Sequence, residues 1–317
     1  MNILNNNKNI TEYLYRINYN PKFEESLCIL EMKSLFNTLP KNKSLICDTY
    51  VDPSRSPYIK EMISIIYKED TLEKIISNIV KDNLSYNNFK VCYVKLECDD
   101  LSYANRLKSI NEVGYVITGF PDIHNPEICV GLTKINDTWI LGEYSKNDFE
   151  WHIHDRKPYS YSNSLSTKVA RSLVNIGIKN DFNLRLVDPC CGVGTVVIEA
   201  LSMGIDVSGF EINTSIAQNA QKNLAFFGYD NVISNRDMHE INNRYDVAII
   251  DLPYGVFTKT TLEAQIALIN SARKIADKLI LVTFEDLDEH ILNAGFTILE
   301  ECSVAKGKFI RYIKVCI

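Results

Sequence analysis

The sequence predicts an α/β protein, with a doubly wound and mostly parallel sheet in residues 161–317 preceded by an α+β region over 1–160. Three observations carry this reading. From residue 184 onward, short apolar runs alternate with segments of helical period, the rhythm of a parallel sheet with crossover helices. The alternation ends on two β-like runs, 296–302 and 309–317, around Ala305-Lys306-Gly307, which places one antiparallel strand near the sheet's edge. A chain of 317 residues, 46% of them hydrophobic, is long enough to bury two separate cores.

In the second half, 184–188 is an apolar strand that ends in a carboxylate. A glycine-containing turn follows, then a helical pattern over 195–203. Residues 206–210 form the next strand, with Glu211 at its end. A helix over 213–227 starts at Asn213, whose side chain can accept first-turn N–H groups, and stops at Gly228. Residues 231–234 make a third strand, and 245–250 a fourth that is continuously apolar, as a strand covered on both faces must be. A helix over 260–276, a strand over 279–283 and a helix over 287–294 lead into the hairpin. In the first half, 12–19 alternates like a strand. Phe23, Leu27 and Leu30 mark a helix over 23–36. Strands are expected at 45–51 and 89–96, helices at 71–80 and 103–110, and a hairpin at 127–133 and 138–144 around Asn136-Asp137. The same pattern fits two small units joined near 83–88. The Tyr-, Ser- and Asn-rich stretch 151–165 reads as a linker, and no internal repeat is visible.

Composition narrows the function classes. No uncharged apolar run approaches the roughly 18 residues that a membrane helix requires, and the Asn-rich start lacks a signal-peptide apolar region, so a cytoplasmic location without membrane contact is expected. Nine cysteines without any C-x-x-C spacing, Cys190 and Cys191 being adjacent, fit reduced thiols rather than disulfides or a zinc site, and no metal is expected. Residues 1–160 hold 19 Lys and Arg against 22 Asp and Glu, and the remainder 15 against 18. Neither half is basic, so a nucleic-acid partner requires a local basic patch or readout of shape. Oligomeric state is left open.

The chemistry concentrates at two turns. The first is Asp188-Pro189-Cys190-Cys191-Gly192-Val193-Gly194-Thr195. Glycines at 192 and 194 let backbone approach a ligand and adopt positive φ, and the helix that follows offers free first-turn N–H groups. This suits nucleotide-type cofactors in general. A dinucleotide fingerprint has a third glycine where this chain has Val197. Asp188 would repel a pyrophosphate but can hold an amino group, and Glu211, 23 residues on, suits ribose hydroxyls. Together these favour S-adenosylmethionine, which carries a ribose and an amino acid but no phosphate. The alternative is a close-packed strand–helix turn without a ligand. After the third strand, Asp237 is placed to accept from an adenine amino group while Met238 or Ile212 packs on the ring; a solvated loop acid fits Asp237 equally well.

The second turn is Ile249-Ile250-Asp251-Leu252-Pro253-Tyr254-Gly255, beside the first at the point where the strand order reverses. A planar NH₂ group is a poor nucleophile because its lone pair is delocalised. If the Asp251 carboxylate and the Leu252 carbonyl each accept an N–H, the nitrogen can pyramidalise and aim its lone pair at a methyl donor. Pro253 fixes the loop, and Tyr254 would stack on the planar group, worth about 1–3 kcal/mol for a nucleobase. A strand-end turn with a capping Asp and a buried Tyr is the plain alternative.

These residues resemble a known family. Residues 188–195 resemble motif I of class I S-adenosylmethionine-dependent methyltransferases, and Asp251-Leu252-Pro253-Tyr254 resembles the (Asp/Asn)-Pro-Pro-(Tyr/Phe) motif of amino-methyltransferases. The run DPCCGVGTVVIEAL, the later DLPYG and the preceding YSNSLSTKVARSLVNI are similar to the THUMP-containing tRNA guanine-N2 methyltransferases in particular. NPEICVGL and TWILGEY look like that family's THUMP hairpin, with Trp151 following. The resemblance implies a Rossmann-like class I methyltransferase domain, a seven-stranded sheet with one antiparallel strand, preceded by a ferredoxin-like and THUMP-like RNA-binding region. It further implies that Asp188, Pro189, Gly192, Gly194, Thr195, Glu211, Ile212, Asp237 and Met238 hold S-adenosylmethionine, that Asp251, Leu252, Pro253 and Tyr254 carry the catalytic role, and that the partner is structured RNA, tRNA above all. The chain departs from the motif at Leu252, where the family has proline; a backbone carbonyl survives that change. Other planar amines (adenine in DNA or ribosomal RNA, a protein glutamine) and a non-catalytic RNA-binding role are the alternatives.

Three further groups stand outside the motifs. His152 and His154 would share a strand face, as a metal pair or as ordinary polar histidines. Lys306, Lys308, Arg311 and Lys314 would either meet phosphates or form a solvated edge. Tyr159 and Tyr161 would stack on RNA or pack the linker.

Overall fold

Tyr13–Ile17 pairs antiparallel with residues 44–47 on one side and 59–64 on the other, which makes it a strand, β1. The helix α1 (Glu25–Phe36) follows and ends where Asn37 takes the left-handed conformation. The computed structural model describes residues 10–19, 22–161, 164–253, 260–306 and 309–317. It divides into two units, Met1–Asn18 with Thr38–Asp148, and Tyr19–Asn37 with Phe149–Ile317, so α1 belongs to the second.

The first unit is built on one continuous sheet. Its strands are β1, β2 (Ser44–Cys47), β3 (Ile59–Glu69), β4 (Ser85–Tyr93), β5 (Thr118–Pro121), β6 (Ile128–Ile135) and β7 (Thr138–Lys146), in the order β2-β1-β3-β7-β6-β4-β5. The helices α2 (Leu72–Asp82) and α3 (Tyr103–Val116) begin at Thr71 and Ser102, whose side chains accept N–H groups of the first turn. They bury Ile75, Ile79 and Val113 against Phe89, Val130, Trp139 and Leu141. The hairpin around Asn136 forms as expected, with Asn136 at φ +52°. Two features differ from the sequence expectation. Residues 83–88 are not a junction between units: Asn83 ends α2 and β4 enters the same sheet two residues later. The long strand β3 pairs with both β1 and β7 at the middle of the sheet, though no strand was expected there.

The second unit alternates as anticipated. After the helix α4 (Thr167–Ile178) come β8 (Leu186–Asp188), α5 (Thr195–Ser202), β9 (Val207–Glu211), α6 (Thr214–Phe226), β10 (Ile233–Asn235), β11 (Tyr245–Asp251), α7 (Leu262–Ile275), β12 (Ala276–Thr283), α8 (Asp288–Asn293), β13 (Ile298–Lys306) and β14 (Phe309–Cys316). The sheet order is β10-β9-β8-β11-β12-β14-β13, parallel except for β14, which runs antiparallel to both its neighbours. This is the doubly wound, seven-stranded sheet with one antiparallel strand near the edge. The wind reverses between β8 and β11, and ligands of such sheets bind at the strands' carboxyl ends there.

Two segments behave differently from a plain linker-and-domain reading. α1 is fastened to the second unit by polar contacts. Asn175 Nδ2 donates to the buried Glu31 carboxylate at 2.6 Å, Asn180 Nδ2 to the Leu35 carbonyl at 2.7 Å, and Ser26 Oγ to the Ser303 carbonyl on the edge strand β13 at 2.6 Å. Covering an edge strand in this way removes a pairing site for other chains. The segment 151–165 is also more than a linker: Glu150–Arg156 is a 3₁₀ turn with Trp151 and His154 buried. His154 Nδ1 lies 2.6 Å from Glu199 Oε1, and Arg171 Nη1 donates to Glu199 Oε2 at 2.8 Å, so a buried charged network joins this turn to α4 and α5. His152 is exposed and stacks on Trp151 instead. All nine cysteines are free.

Candidate active site

Asp188, Glu211 and Asp251 are the last residues of β8, β9 and β11, three adjacent strands, so one end of the sheet carries three carboxylates side by side. Asp188 is 4% exposed. Its carboxylate accepts the Cys190 N–H at 3.3 Å, yet burial dominates and pushes its pKa up to about 8, with Asp251 and Glu211 adding to the rise. Glu211 is held differently. One oxygen accepts the Gly192 N–H at 3.0 Å and the other the Asn213 N–H at 2.8 Å, so its orientation is fixed by backbone from both sides.

The two glycines of the turn have separate jobs. Gly192 has φ +52°, and a Cβ built there meets nothing within 4 Å, so the turn is open to a ligand at this position. Gly194 has φ +82°, and a Cβ there would lie 3.2 Å from Ile233 Cδ1 and 3.4 Å from Leu224 Cδ1, so its bareness serves packing against α6 and β10. The missing third glycine is replaced from the other side. Val197 on α5 meets Gly209 on β9, where a Cβ would sit 3.0 Å from Val197 Cγ2. The small residue that lets helix and strand approach stands on the strand instead of the helix. Pro189 is buried, and Thr195 opens α5 with its Oγ1 buried and without a hydrogen-bond partner among the described residues.

The residues expected at an adenine ring part company. Met238 is buried in the core, its Sδ 3.6 Å from Cys190 Sγ, whereas Ile212 is 67% exposed at the carboxyl end of β9. Asp237 caps a 3₁₀ turn, accepting the His239 N–H at 2.9 Å. A neighbour that sequence reasoning passed over is Asn235. Its amide donates to the Glu211 and Ile212 carbonyls at 2.8 and 3.0 Å and so braces the turn that follows β9.

At the second turn, Asp251 closes β11 in register with Val282. Leu252 carries on from it: its N–H donates to the Val282 carbonyl at 3.0 Å and its side chain is buried in the core. Proline has no N–H to donate, so the departure from the resembled motif exchanges ring rigidity for an anchored backbone. Pro253 is half-buried, and the expectations for Tyr254 and Gly255 lie outside the described residues. Of the basic cluster expected near the final hairpin, Lys308 and the Lys306 side chain lie outside the described residues, and the other two are engaged elsewhere. Lys314 is buried and reaches Glu301 at 2.5 Å and Asp288 at 2.8 Å, and the buried Arg311 lies over the Phe284 ring, so neither serves as a free phosphate contact.

The strand order, the open glycine turn and the acid at each strand end define the second unit as a doubly wound α/β domain with a ligand-binding turn at its switch point. Residues 154–281 match the RMKL-like methyltransferase domain family. A tRNA (guanine(10)-N2)-dimethyltransferase of Methanothermobacter thermautotrophicus is 28% identical over 220 residues, 66% of this chain and 65% of that protein. One from Pyrococcus abyssi is 31% identical over 150 residues, 44% of each. The chain thus matches two thirds or less of these relatives' length. Among solved structures, TrmN from Thermus thermophilus aligns with 96% of this chain and 99% of its own at 14% identity and a TM-score of 0.48.

Proposed function

We propose that this protein is an S-adenosylmethionine-dependent N-methyltransferase that acts on the exocyclic N2 amine of a guanosine in tRNA. The observation that carries the reading is the row of three carboxylates on β8, β9 and β11 around a glycine position that is open. A row of buried or half-buried acids is costly without a positive partner, and an ammonium group and a sulfonium supply two positive charges. The activity for which these relatives are named supports guanine N2 in tRNA as the target.

The residues present fit such a donor. Asp188 suits the amino group, Glu211 the ribose hydroxyls through lone pairs its two backbone bonds leave over, Ile212 the adenine face and Asp237 the adenine amino group. Pro189, Gly192, Gly194 and Thr195 form the turn beneath it, and Met238 supports that turn from the core. When bound, the donor supplies an electrophilic methyl group. Everything else is work for this chain's own atoms. Asp251 and the Leu252 carbonyl accept the two N–H groups of the target amine and so localise its lone pair. The negative charge of Asp251 stabilises the positive charge that grows on the nitrogen. Pro253 limits the loop's freedom, and Tyr254 stacks on the base, which is turned out of its helix to reach the site. The first unit is the THUMP-like RNA-holding part, and the tRNA of the cytoplasm is the substrate pool.

The test is Asp251→Ala. Turnover on tRNA is expected to fall by about 10²–10³, the effect of losing one transition-state hydrogen bond, while binding of S-adenosylhomocysteine persists. Undiminished turnover removes the assigned role. Methylation of DNA or protein fractions in preference to tRNA redirects the substrate, and absence of donor binding by the wild type leaves the non-catalytic RNA-binding reading.

A further inference from the structure

The three side chains Asn219, Asn223 and Phe227 follow one another at four-residue spacing along α6 and its end, so they form one ridge. Each meets the chain that runs from the 3₁₀ turn toward α4. The Phe227 ring packs edge-on to His154, with centroids 5.1 Å apart. Asn223 accepts the Tyr159 N–H at 3.0 Å and donates to the Tyr159 carbonyl at 2.9 Å. Asn219 donates to the Tyr161 hydroxyl at 3.2 Å. The segment 154–161 therefore climbs α6 from its C-terminal end toward its N-terminal end, which is the end at the strands' carboxyl termini.

Of the three ridge residues, Asn223 alone reaches the glycine turn. It is completely buried, and its amide also donates to the Val193 carbonyl at 2.9 Å. One acceptor and two donors are thus all in use. Val193 stands between Gly192 and Gly194, both at positive φ, so the flanking residues provide no Cβ to restrain the peptide that carries this carbonyl. One residue earlier, the Gly192 N–H holds Glu211. A path of hydrogen bonds runs from Tyr159 through Asn223 and the Val193 carbonyl into the turn, and from Gly192 out to Glu211.

We infer that Asn223 is a positioning residue for donor binding: by clamping Tyr159 and the Val193 carbonyl together, it fixes the open conformation of the glycine turn that Glu211 and the donor share. This deepens the donor-binding reading above and rests on it. Asn223→Asp is the sharp test, because aspartate is the same size and still accepts the Tyr159 N–H but sets carboxylate oxygen against two carbonyls. Calorimetric titration with S-adenosylhomocysteine, well below each variant's melting point, is expected to show affinity at least tenfold weaker than wild type. KM for the donor should rise by a similar factor, with kcat changed less than threefold. Tyr161→Phe removes only the Asn219 contact and should bind as wild type does. If Asn223→Asp melts earlier yet binds within twofold of wild type, Asn223 is a purely structural residue and the inference fails. Where Asn223→Asp does not fold, Asn223→Ser takes its place, and amide exchange across 189–195 adds a readout that needs no ligand: faster exchange there supports the clamp, and unchanged exchange overturns it. If the wild type itself does not bind the ligand, the donor reading fails separately, and the exchange measurement still decides whether Asn223 holds the turn.

Discussion

If Asp188 holds the donor's amino group as proposed, donor binding depends on pH, and the dependence follows from its surroundings. Its side chain is nearly sealed from solvent, with one backbone N–H at 3.3 Å and two further carboxylates nearby. Its folded pKa is raised from 3.8 to about 8. The free protein at neutral pH therefore holds this carboxyl mostly protonated. An ammonium group placed against it favours the ionised form, so binding below pH 8 must expel a proton. In the free protein this carboxyl is almost wholly protonated at pH 6 and about half ionised at pH 8, so affinity should fall by more than tenfold as pH drops from 8 to 6, on the order of 2 kcal/mol. Calorimetry with S-adenosylhomocysteine in two buffers of different ionisation heat should report close to one proton released per ligand at pH 6–7. Asp188→Asn should bind weakly and without a pH slope. The stability of the free protein has the same origin. A carboxyl whose folded pKa lies above its unfolded value stabilises fully below about pH 4, and that contribution is lost as pH rises through 8. Asp188→Asn should therefore melt higher than wild type at pH 8.5. A wild-type affinity that is flat from pH 6 to 8, with buffer-independent heats, would refute the reasoning.

Further substitutions separate packing from ligand contact. Gly192→Ala, at φ +52° in open space, should cost only about 1 kcal/mol of stability yet weaken donor binding tenfold or more, because the new methyl occupies the space left for the ligand. Gly194→Ala should reverse the balance, losing about 2–3 kcal/mol in denaturant titration from backbone strain and overpacking against Ile233; equal effects on binding from both variants would contradict the division of labour. Leu252→Pro restores the family's usual residue but deletes the N–H bond to Val282 and a buried side chain, so it should destabilise by about 2–4 kcal/mol, and a neutral or stabilising result would show that the anchor is not needed. Glu199→Ala takes the carboxylate from Arg171 and His154 and should cost about 3–5 kcal/mol, read from the shift of the denaturation midpoint.

What could be read from the sequence depended on how many faces of an element are buried. In the second unit each parallel strand is a short apolar run with a polar stop, so β8, β9 and β11 and their terminal acids stood out. The strand β3 gave no such signal. It pairs on both edges, is covered on both faces and buries Ile59, Glu61, Met62, Ile63, Ser64, Ile65 and Tyr67, so polar and apolar residues are buried together and period-two alternation vanishes. The placing of α1 was equally hidden. Its attachment rests on long-range amide and carboxylate pairs such as Glu31 with Asn175, 144 positions apart, which local periodicity cannot reveal.

The candidate site shows the same limit at finer scale. Residue types pointed to the proposed chemistry, because an acid at a strand end beside glycines is rarely needed for folding alone. They could not assign the roles of individual glycines, since Gly192 and Gly194 are identical in sequence terms and differ only in what lies beyond the missing Cβ. They could not show that Met238 faces the core while Ile212 faces outward, or that Lys314 is already committed to Asp288 and Glu301. The Leu252 substitution is the clearest instance. The resembled motif has proline there, and the fold of this chain holds the same backbone position by other means. The proposed chemistry requires a carbonyl held at a fixed angle beside Asp251. A proline ring supplies that by restricting φ, and here a hydrogen bond to the neighbouring strand and a buried leucine supply it by tethering the backbone. What the chemistry constrains is the position of an oxygen atom, and more than one residue type can hold it there.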